Sequence, residues 1–228
     1  SAAIAINGKL IWSAAIGYAN LEERHKATPG TLFRIGSTSK AVTGTLFARM
    51  VDDSLISIDA PISTYIKDLP NPDWAQITPR QLASHTAGIV GYEENNDLIG
   101  AYGSMRLQSS HSNVSEGLDY FDDADLLYEP GTDFHYSSYD VNLLSVVLEE
   151  AGGTSFLELL RKKVLEPLEL DSPKPDAPQK DRAAFYHVQD GKAQRWRDVD
   201  LSMKLASGGF MATPSDLALL GAAWLNDE

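Results

Sequence analysis

The hydrophobic pattern of the chain changes period near residue 37, and that change limits what it can fold into. Before it, Ala3-Ile4-Ala5-Ile6 and the run from Leu10 to Tyr18 flank Asn7-Gly8. Asn-Gly suits a two-residue turn because both central positions need a positive φ, so the segment reads as a two-stranded hairpin. After it, Val42, Leu46, Phe47, Met50 and Val51 recur at i, i+4, i+5, i+8 and i+9, which places one apolar stripe along a helix. A loop through Thr28-Pro29-Gly30 joins the two and delivers Ser37-Thr38-Ser39-Lys40 to the point where the helix begins.

That tetrapeptide sets a hydroxyl and an amine three residues apart, hence on one face of a helical turn. A serine hydroxyl becomes a nucleophile only when a neighbour can take its proton, and Lys40 is placed to fold back onto Ser37. Desolvation would lower the lysine pKa and make it a better acceptor. At a helix start the unpaired amides and the positive end of the dipole also favour developing negative charge. The spacing alone is weak, since Ser37 also suits a helix cap with Lys40 in solvent. A second segment, Glu129-Pro130-Gly131 through Tyr136-Ser137-Ser138-Tyr139, reads as a turn and then a helix with the apolar face Val141, Leu144, Val147 and Leu148. Tyr136 thus lies at a loop-to-helix junction, where a half-buried aromatic is the ordinary reading. For its phenol to act as a base near neutral pH, its pKa of about 10 must fall by roughly 3 units, about 4 kcal/mol.

Four blocks in order resemble the serine β-lactamase and penicillin-binding-protein superfamily, in the branch of class C β-lactamases, D-Ala-D-Ala carboxypeptidases, D-aminopeptidases and β-lactamase-like carboxylesterases. Phe33-Arg34-Ile35-Gly36-Ser37-Thr38-Ser39-Lys40 is similar to the nucleophile motif S-x-x-K. The segment Ile77 to Ile89 resembles "ITIRHLLTHTSGL", Pro130 to Tyr139 resembles "PGxxFxYSNxxYxLL", and Ser207 to Leu217 resembles "aGGlxstaxDla". Two departures stand out. Ser138 occupies the place of the usual asparagine, and the Lys/His/Trp-(Thr/Ser)-Gly third motif is not found. Lys204 to Gly209 carries a lysine and a Ser-Gly pair but falls in the block before a helix, so it is not accepted as that motif.

The resemblance implies an α/β (α+β) fold of the β-lactamase/transpeptidase type, an antiparallel sheet packed against a mainly helical region. Residues 1–36 would be the sheet part and 37–228 the mainly helical part of a single domain shortened at both ends, with the family's C-terminal strands and third motif outside it. It also implies cofactor-free acyl transfer. Ser37 attacks a carbonyl, Lys40 and Tyr136 pass its proton to the leaving group, Ser138 orients the substrate, and backbone amides, one of them from Ser37, hold the oxyanion. The substrate would be a small-molecule ester, β-lactam or peptide. Carboxylesterase-like hydrolysis is the leading expectation. A D-Ala-D-Ala carboxypeptidase, D-aminopeptidase or class C-type β-lactamase is the alternative, and a non-catalytic penicillin-binding sensor or scaffold a third. Retention of Ser37, Lys40 and Tyr136 together argues against the last. A periplasmic or secreted bacterial protein is favoured by the resemblance alone.

Composition narrows the partners. With 228 residues, 43% of them hydrophobic, the chain has material for one sizeable core. A net charge of −13 disfavours nucleic acid and anionic membranes, which need basic patches. Zero cysteines exclude disulfides, thiol catalysis and Cys-based metal sites. The histidines, at 25, 85, 111, 135 and 187, show no metal-ligand spacing, so no metal and no cofactor is expected. No transmembrane run is present. The segments Gly91 to Ser115 and Asp171 to Arg182, rich in loop-forming residues, are expected to be the least ordered.

Overall fold

The computed structural model describes residues 1–92, 110–179, 181–196 and 198–226. Its strands are β1 (Ala2–Ile6), β2 (Lys9–Ala14), β3 (Tyr18–Asn20), β4 (His25–Lys26), β5 (Phe33–Arg34), β6 (Lys174–Pro175), β7 (Tyr186–Gln189), β8 (Lys192–Arg195) and β9 (Phe210–Ala212). The α-helices are α1 (Ser39–Asp52), α2 (Pro79–Ala83), α3 (Ser138–Gly152), α4 (Phe156–Leu160), α5 (Leu205–Gly208) and α6 (Pro214–Leu225).

The predicted hairpin forms. Asn7 and Gly8 take φ of 49° and 72°, and β1 pairs antiparallel with β2 from Ile6↔Lys9 to Ala2↔Ala14. The second strand ends sooner than its hydrophobic run suggests, because Gly17 at φ 83° turns the chain and Tyr18 joins a separate pair with β4. Helix α6 lies against β1 and β2. Among the described residues a three-stranded antiparallel sheet in the order β5-β9-β6 joins the segment before Ser37 to the C-terminal part of the chain.

The core sits between α1 and α3. Val42, Leu46, Phe47 and Met50 are buried as the stripe predicts. Helix α3 differs from its expected single apolar face: every residue from Tyr139 to Leu148 is buried, Asp140, Asn142 and Ser145 included. It is the central helix, and its polar residues bond within the protein: Asp140 meets His85, the Asn142 amide donates to the Met203 carbonyl, and the Ser145 hydroxyl donates to the Asn142 carbonyl one turn back. Trp74, Phe121 and Tyr139 stack in series at 5.2 and 4.2 Å between ring centroids, a packing that favours offset aromatic pairs. Helix α3 stops at Gly153, whose φ of 64° supplies the left-handed cap.

The Pro- and charge-rich stretch from Asp171 to Arg182 is ordered where it is described. It supplies β6, and the fully buried Asp176 carboxylate is clamped between Arg34 and Arg182, both guanidiniums lying over the Phe185 ring. Burial of a paired charge, which composition does not encode, fixes this segment. Of the other stretch expected to be loose, 93–109 lie outside the described residues. Among the described residues no helix is long and apolar enough to cross a membrane.

Candidate active site

Ser37 stands one turn earlier than a simple helix start. Gly36, at φ 51°, bends the chain out of β5, and Gly36–Thr38 form a 3-10 turn that runs directly into α1. Three contacts pin this corner to the segment around β9. The Ile35 amide donates to the Phe210 carbonyl at 3.1 Å, the Phe210 amide donates to the buried Ser39 hydroxyl at 3.3 Å, and the Thr43 hydroxyl donates to the Ala206 carbonyl at 2.8 Å. The Ser207 carbonyl is thereby held beside the first turn of α1.

Lys40 points into that corner. Its Nζ donates to Ser37 Oγ at 3.2 Å, to Ser138 Oγ at 3.0 Å and to the Ser207 carbonyl at 2.9 Å. Tyr136 approaches from the other side, its Oη donating to Ser37 Oγ at 2.9 Å, with its ring centroid 5.0 Å from Lys40 Nζ. Lys40 and Tyr136 therefore meet at Ser37 Oγ, and Ser138 joins the cluster through Lys40 Nζ. Tyr136 and Ser138 reach it because Ser137 caps α3, accepting from the Tyr139 amide at 3.1 Å while donating to the Val90 carbonyl at 2.7 Å.

The electrostatics brings the two candidate proton carriers closer in acidity. Burial pushes Lys40 below the ordinary lysine range, the nearby Lys204 cation adds to this, and the hydrogen bond and charge of Tyr136 oppose it. Burial alone would push the Tyr136 phenol up, but hydrogen bonds with Lys40 and Ser37 and the Lys40 charge outweigh it, so the phenol lies below its usual value. A lowered amine next to a lowered phenol can share one proton between them.

Ser37, Tyr92, Phe134, His135, Tyr136 and Ser138 line an open cleft of about 560 Å³. Ser37 is exposed there, and Phe134 and Tyr136 present their rings to solvent. An accessible serine hydroxyl under an aromatic rim leaves room for a small molecule carrying an apolar portion. Among the described residues no group of three or more His, Asp or Glu is arranged to hold a metal ion.

Several groups at this site were missed in the sequence. The Ser207 carbonyl is a backbone acceptor with no residue signature of its own. Asp140 and His85, whose Oδ2 and Nδ1 lie 2.9 Å apart behind Tyr136, are separated by 55 residues in the chain. Within the resemblance block from Ile77 to Ile89, His85 was visible as a position but not as a partner.

Comparison with known proteins bears on the same arrangement. The Beta-lactamase family model matches residues 1–228. Human "Serine beta-lactamase-like protein LACTB, mitochondrial" (Homo sapiens) is 26% identical over 285 residues, covering 97% of this chain and 52% of its own length. The chain thus spans about half the length of that relative. The octameric penicillin-binding protein homologue from Pyrococcus abyssi superposes with a TM-score of 0.80 at 25% identity, covering 99% of this chain and 52% of that one. EstCE1, described as a hydrolase with promiscuous acyltransferase activity, superposes with a TM-score of 0.77 at 25% identity over 96% of this chain and 65% of its own. The observed mixture of helices and antiparallel sheets is the fold these neighbours share, as the sequence resemblance implies. Since the family model spans the chain from end to end and the fold agrees, the chain belongs to the beta-lactamase family.

Proposed function

We propose that the chain carries the acylating centre of a serine hydrolase that cleaves esters through a covalent acyl-Ser37 intermediate. The observation that carries this reading is the convergence of Lys40 Nζ and Tyr136 Oη on Ser37 Oγ, at 3.2 and 2.9 Å. Such distances are within reach for proton transfer. Ser37 Oγ bonds to the substrate carbonyl carbon as its proton passes to the Lys40–Tyr136 pair, and the carbonyl π electrons move to oxygen. Collapse of the tetrahedral adduct expels the alkoxide, which takes that proton and leaves as an alcohol. Water then attacks acyl-Ser37 with the same pair as base, releasing a carboxylic acid and restoring the serine. Oxyanion stabilisation falls to backbone amides, of which the family resemblance assigns one to Ser37, each worth about 3 kcal/mol of barrier.

The ester preference is supported by Ser138. Its hydroxyl bonds Lys40 at 3.0 Å and is shorter than the asparagine amide that resembling proteins place there to engage a substrate amide. Loss of an amide donor weakens recognition of a peptide or β-lactam more than that of an ester, whose reacting group offers no N–H. The open aromatic rim suits an acyl or alkyl group in place of a charged peptide terminus.

The test is turnover by the full-length protein on p-nitrophenyl esters, a chromogenic cephalosporin and a D-Ala-D-Ala peptide, with intact-mass analysis after exposure to a fluorophosphonate. Ester turnover, a single adduct mapping to Ser37 and abolition of both in Ser37→Ala are the expected results. Turnover confined to the cephalosporin or the peptide would move the assignment to the amide-cleaving alternatives. Activity retained in Ser37→Ala would remove the acyl-serine reading altogether.

A further inference from the structure

The first turn of α3 carries a group that the chemistry above leaves unused. Asp140 is almost fully buried, yet only one of its oxygens is satisfied: Oδ2 lies 2.9 Å from His85 Nδ1, while buried Oδ1 has no hydrogen-bonding partner among the described residues. A half-satisfied carboxylate in a core is costly, and an apolar residue of the same size is commonly the more stable choice. Its presence one helical turn from Tyr136 calls for a local role.

His85 supplies the link. Its backbone takes the left-handed conformation, φ 59°, which is uncommon outside glycine. In that conformation it brackets Tyr136 from both sides in sequence. The His135 amide donates to the His85 carbonyl at 3.0 Å, and the Ser137 amide approaches His85 Nδ1 at 3.5 Å. Between them the imidazole lies against the phenol, with ring centroids 4.7 Å apart and planes inclined at 51°. The orientation of that imidazole is set by what Nδ1 bonds to, which is Asp140.

We propose that Asp140 and His85 form a buried positioning pair that aligns the Tyr136 phenol on Ser37, an inference that rests on the acyl-transfer reading of the site. With Asp140 ionised, Nδ1 must carry a proton and donate it to Oδ2, which fixes the tautomer and the ring plane. With Asp140 protonated, the carboxylic acid becomes the donor, Nδ1 the acceptor, and the imidazole proton moves to Nε2. The pair therefore has two hydrogen-bonding states. The charged and titratable groups facing Asp140 are His85 from the turn after α2, His135 from the loop before α3, Lys40 from α1 and Tyr128. Burial pushes the Asp140 carboxyl up to about 6, with His85, His135 and Lys40 pulling it back. The change of state thus falls where an activity profile can record it.

Two measurements on the full-length protein decide the matter. The first is the nitrogen-15 and proton NMR of the His85 side chain above and below about pH 6. A downfield Nδ1 proton at high pH, lost in Asp140→Asn, is expected, and this readout does not depend on turnover. The second is the rate of Ser37 phosphonylation by a fluorophosphonate, with kcat and KM for a p-nitrophenyl ester, followed from about pH 5 to 9. Asp140→Asn should lower kcat by roughly 10- to 100-fold, the scale of a misplaced reacting group, with KM within about twofold, and should erase the acid limb near pH 6. His85→Phe, which keeps a ring against Tyr136 but has no Nδ1, should do the same and serves if Asp140→Asn does not fold. Wild-type rates and an unchanged acid limb in a folded variant whose Ser37 still labels would overturn the positioning pair alone. Failure of Ser37 to label in the wild-type protein would overturn the acyl-transfer reading and the pair's role with it.

Discussion

Tyr136→Phe removes one oxygen atom, and its effects can be worked out from the contacts around that atom. Oη stands 2.9 Å from Ser37 Oγ, while the ring is half exposed at the mouth of the cleft. The stability cost is that of one solvent-accessible hydrogen bond, about 0.5–1.5 kcal/mol, or a few degrees in Tm for a chain of this size. The kinetic cost is larger. A positioned acid-base group typically contributes about 10²–10⁴-fold, roughly 2.7–5.4 kcal/mol of barrier. Lys40 remains 3.2 Å from the same oxygen, anchored by Ser138 and Ser207, and can act as a poorer substitute. A fall in kcat/KM of about 10²–10³-fold on p-nitrophenyl esters is therefore expected, mostly in kcat because the ring still lines the cleft. The pH profile gives a second, signed test. Tyr136 is what holds the Lys40 pKa up against burial. Without it the amine loses its proton more easily, so the limb set by Lys40, distinct from the one near pH 6 that Asp140 sets through Tyr136, should move to lower pH. Activity within about threefold of wild type, with Ser37→Ala inactive, would leave Lys40 as the sole base. A limb that moved to higher pH would refute the electrostatic account.

Three further outcomes concern the scaffold. Gly88→Ala should lose on the order of 2 kcal/mol or more in urea unfolding, because φ is 81° and a Cβ there would stand 2.4 Å from the Tyr128 carbonyl oxygen; wild-type stability would show that this loop yields. Asp176→Ala leaves the largely buried Arg34 guanidinium without its carboxylate and Arg182 with Asp198 alone, and should cost about 3–5 kcal/mol, a Tm drop of roughly 10 °C, and an unchanged melting curve would contradict it. Asp140 makes a signed contribution to pH dependence. Its folded pKa is raised from 3.8 to about 6, so the folded state prefers the protonated form. The stabilisation is complete below about pH 3.8 and is lost as pH rises through 6, roughly 3 kcal/mol in all. The stability gap between Asp140→Asn and wild type should accordingly shift in favour of the variant between pH 4 and pH 8, and a constant gap would show that the burial penalty is not felt.

What could be read in the sequence was local or periodic. The Asn7-Gly8 hairpin and the α1 stripe follow from short-range rules, and Ser37 with Lys40 from a three-residue spacing. Tyr136 and Ser138 were singled out through a block resemblance, since nothing in a lone tyrosine marks it. The geometry brings all four together. What could not be read depends on chain segments meeting. The three-residue β9 has no periodicity to detect, yet it sets the Ser207 carbonyl against Lys40. Asp140 shares the face of Leu144 and Val147 at the start of α3, where a lone acid reads as a first-turn carboxylate, and its partner His85 lies 55 residues away in the chain. The Asp171 to Arg182 stretch has the composition of a loose loop, but two distant arginines fold it down.

The three acceptors of Lys40 lie 3, 98 and 167 residues from it along the chain. Closing loops of such different lengths costs chain entropy that packing of the rest of the chain must offset, so the three contacts are complete together only in the folded chain. On a partly folded chain Ser37 therefore lacks the fully anchored Lys40 that the proposed reaction needs. If Ser37 is the acylated residue proposed above, the moment a refolding sample begins to take up a serine-directed probe dates the completion of its fold.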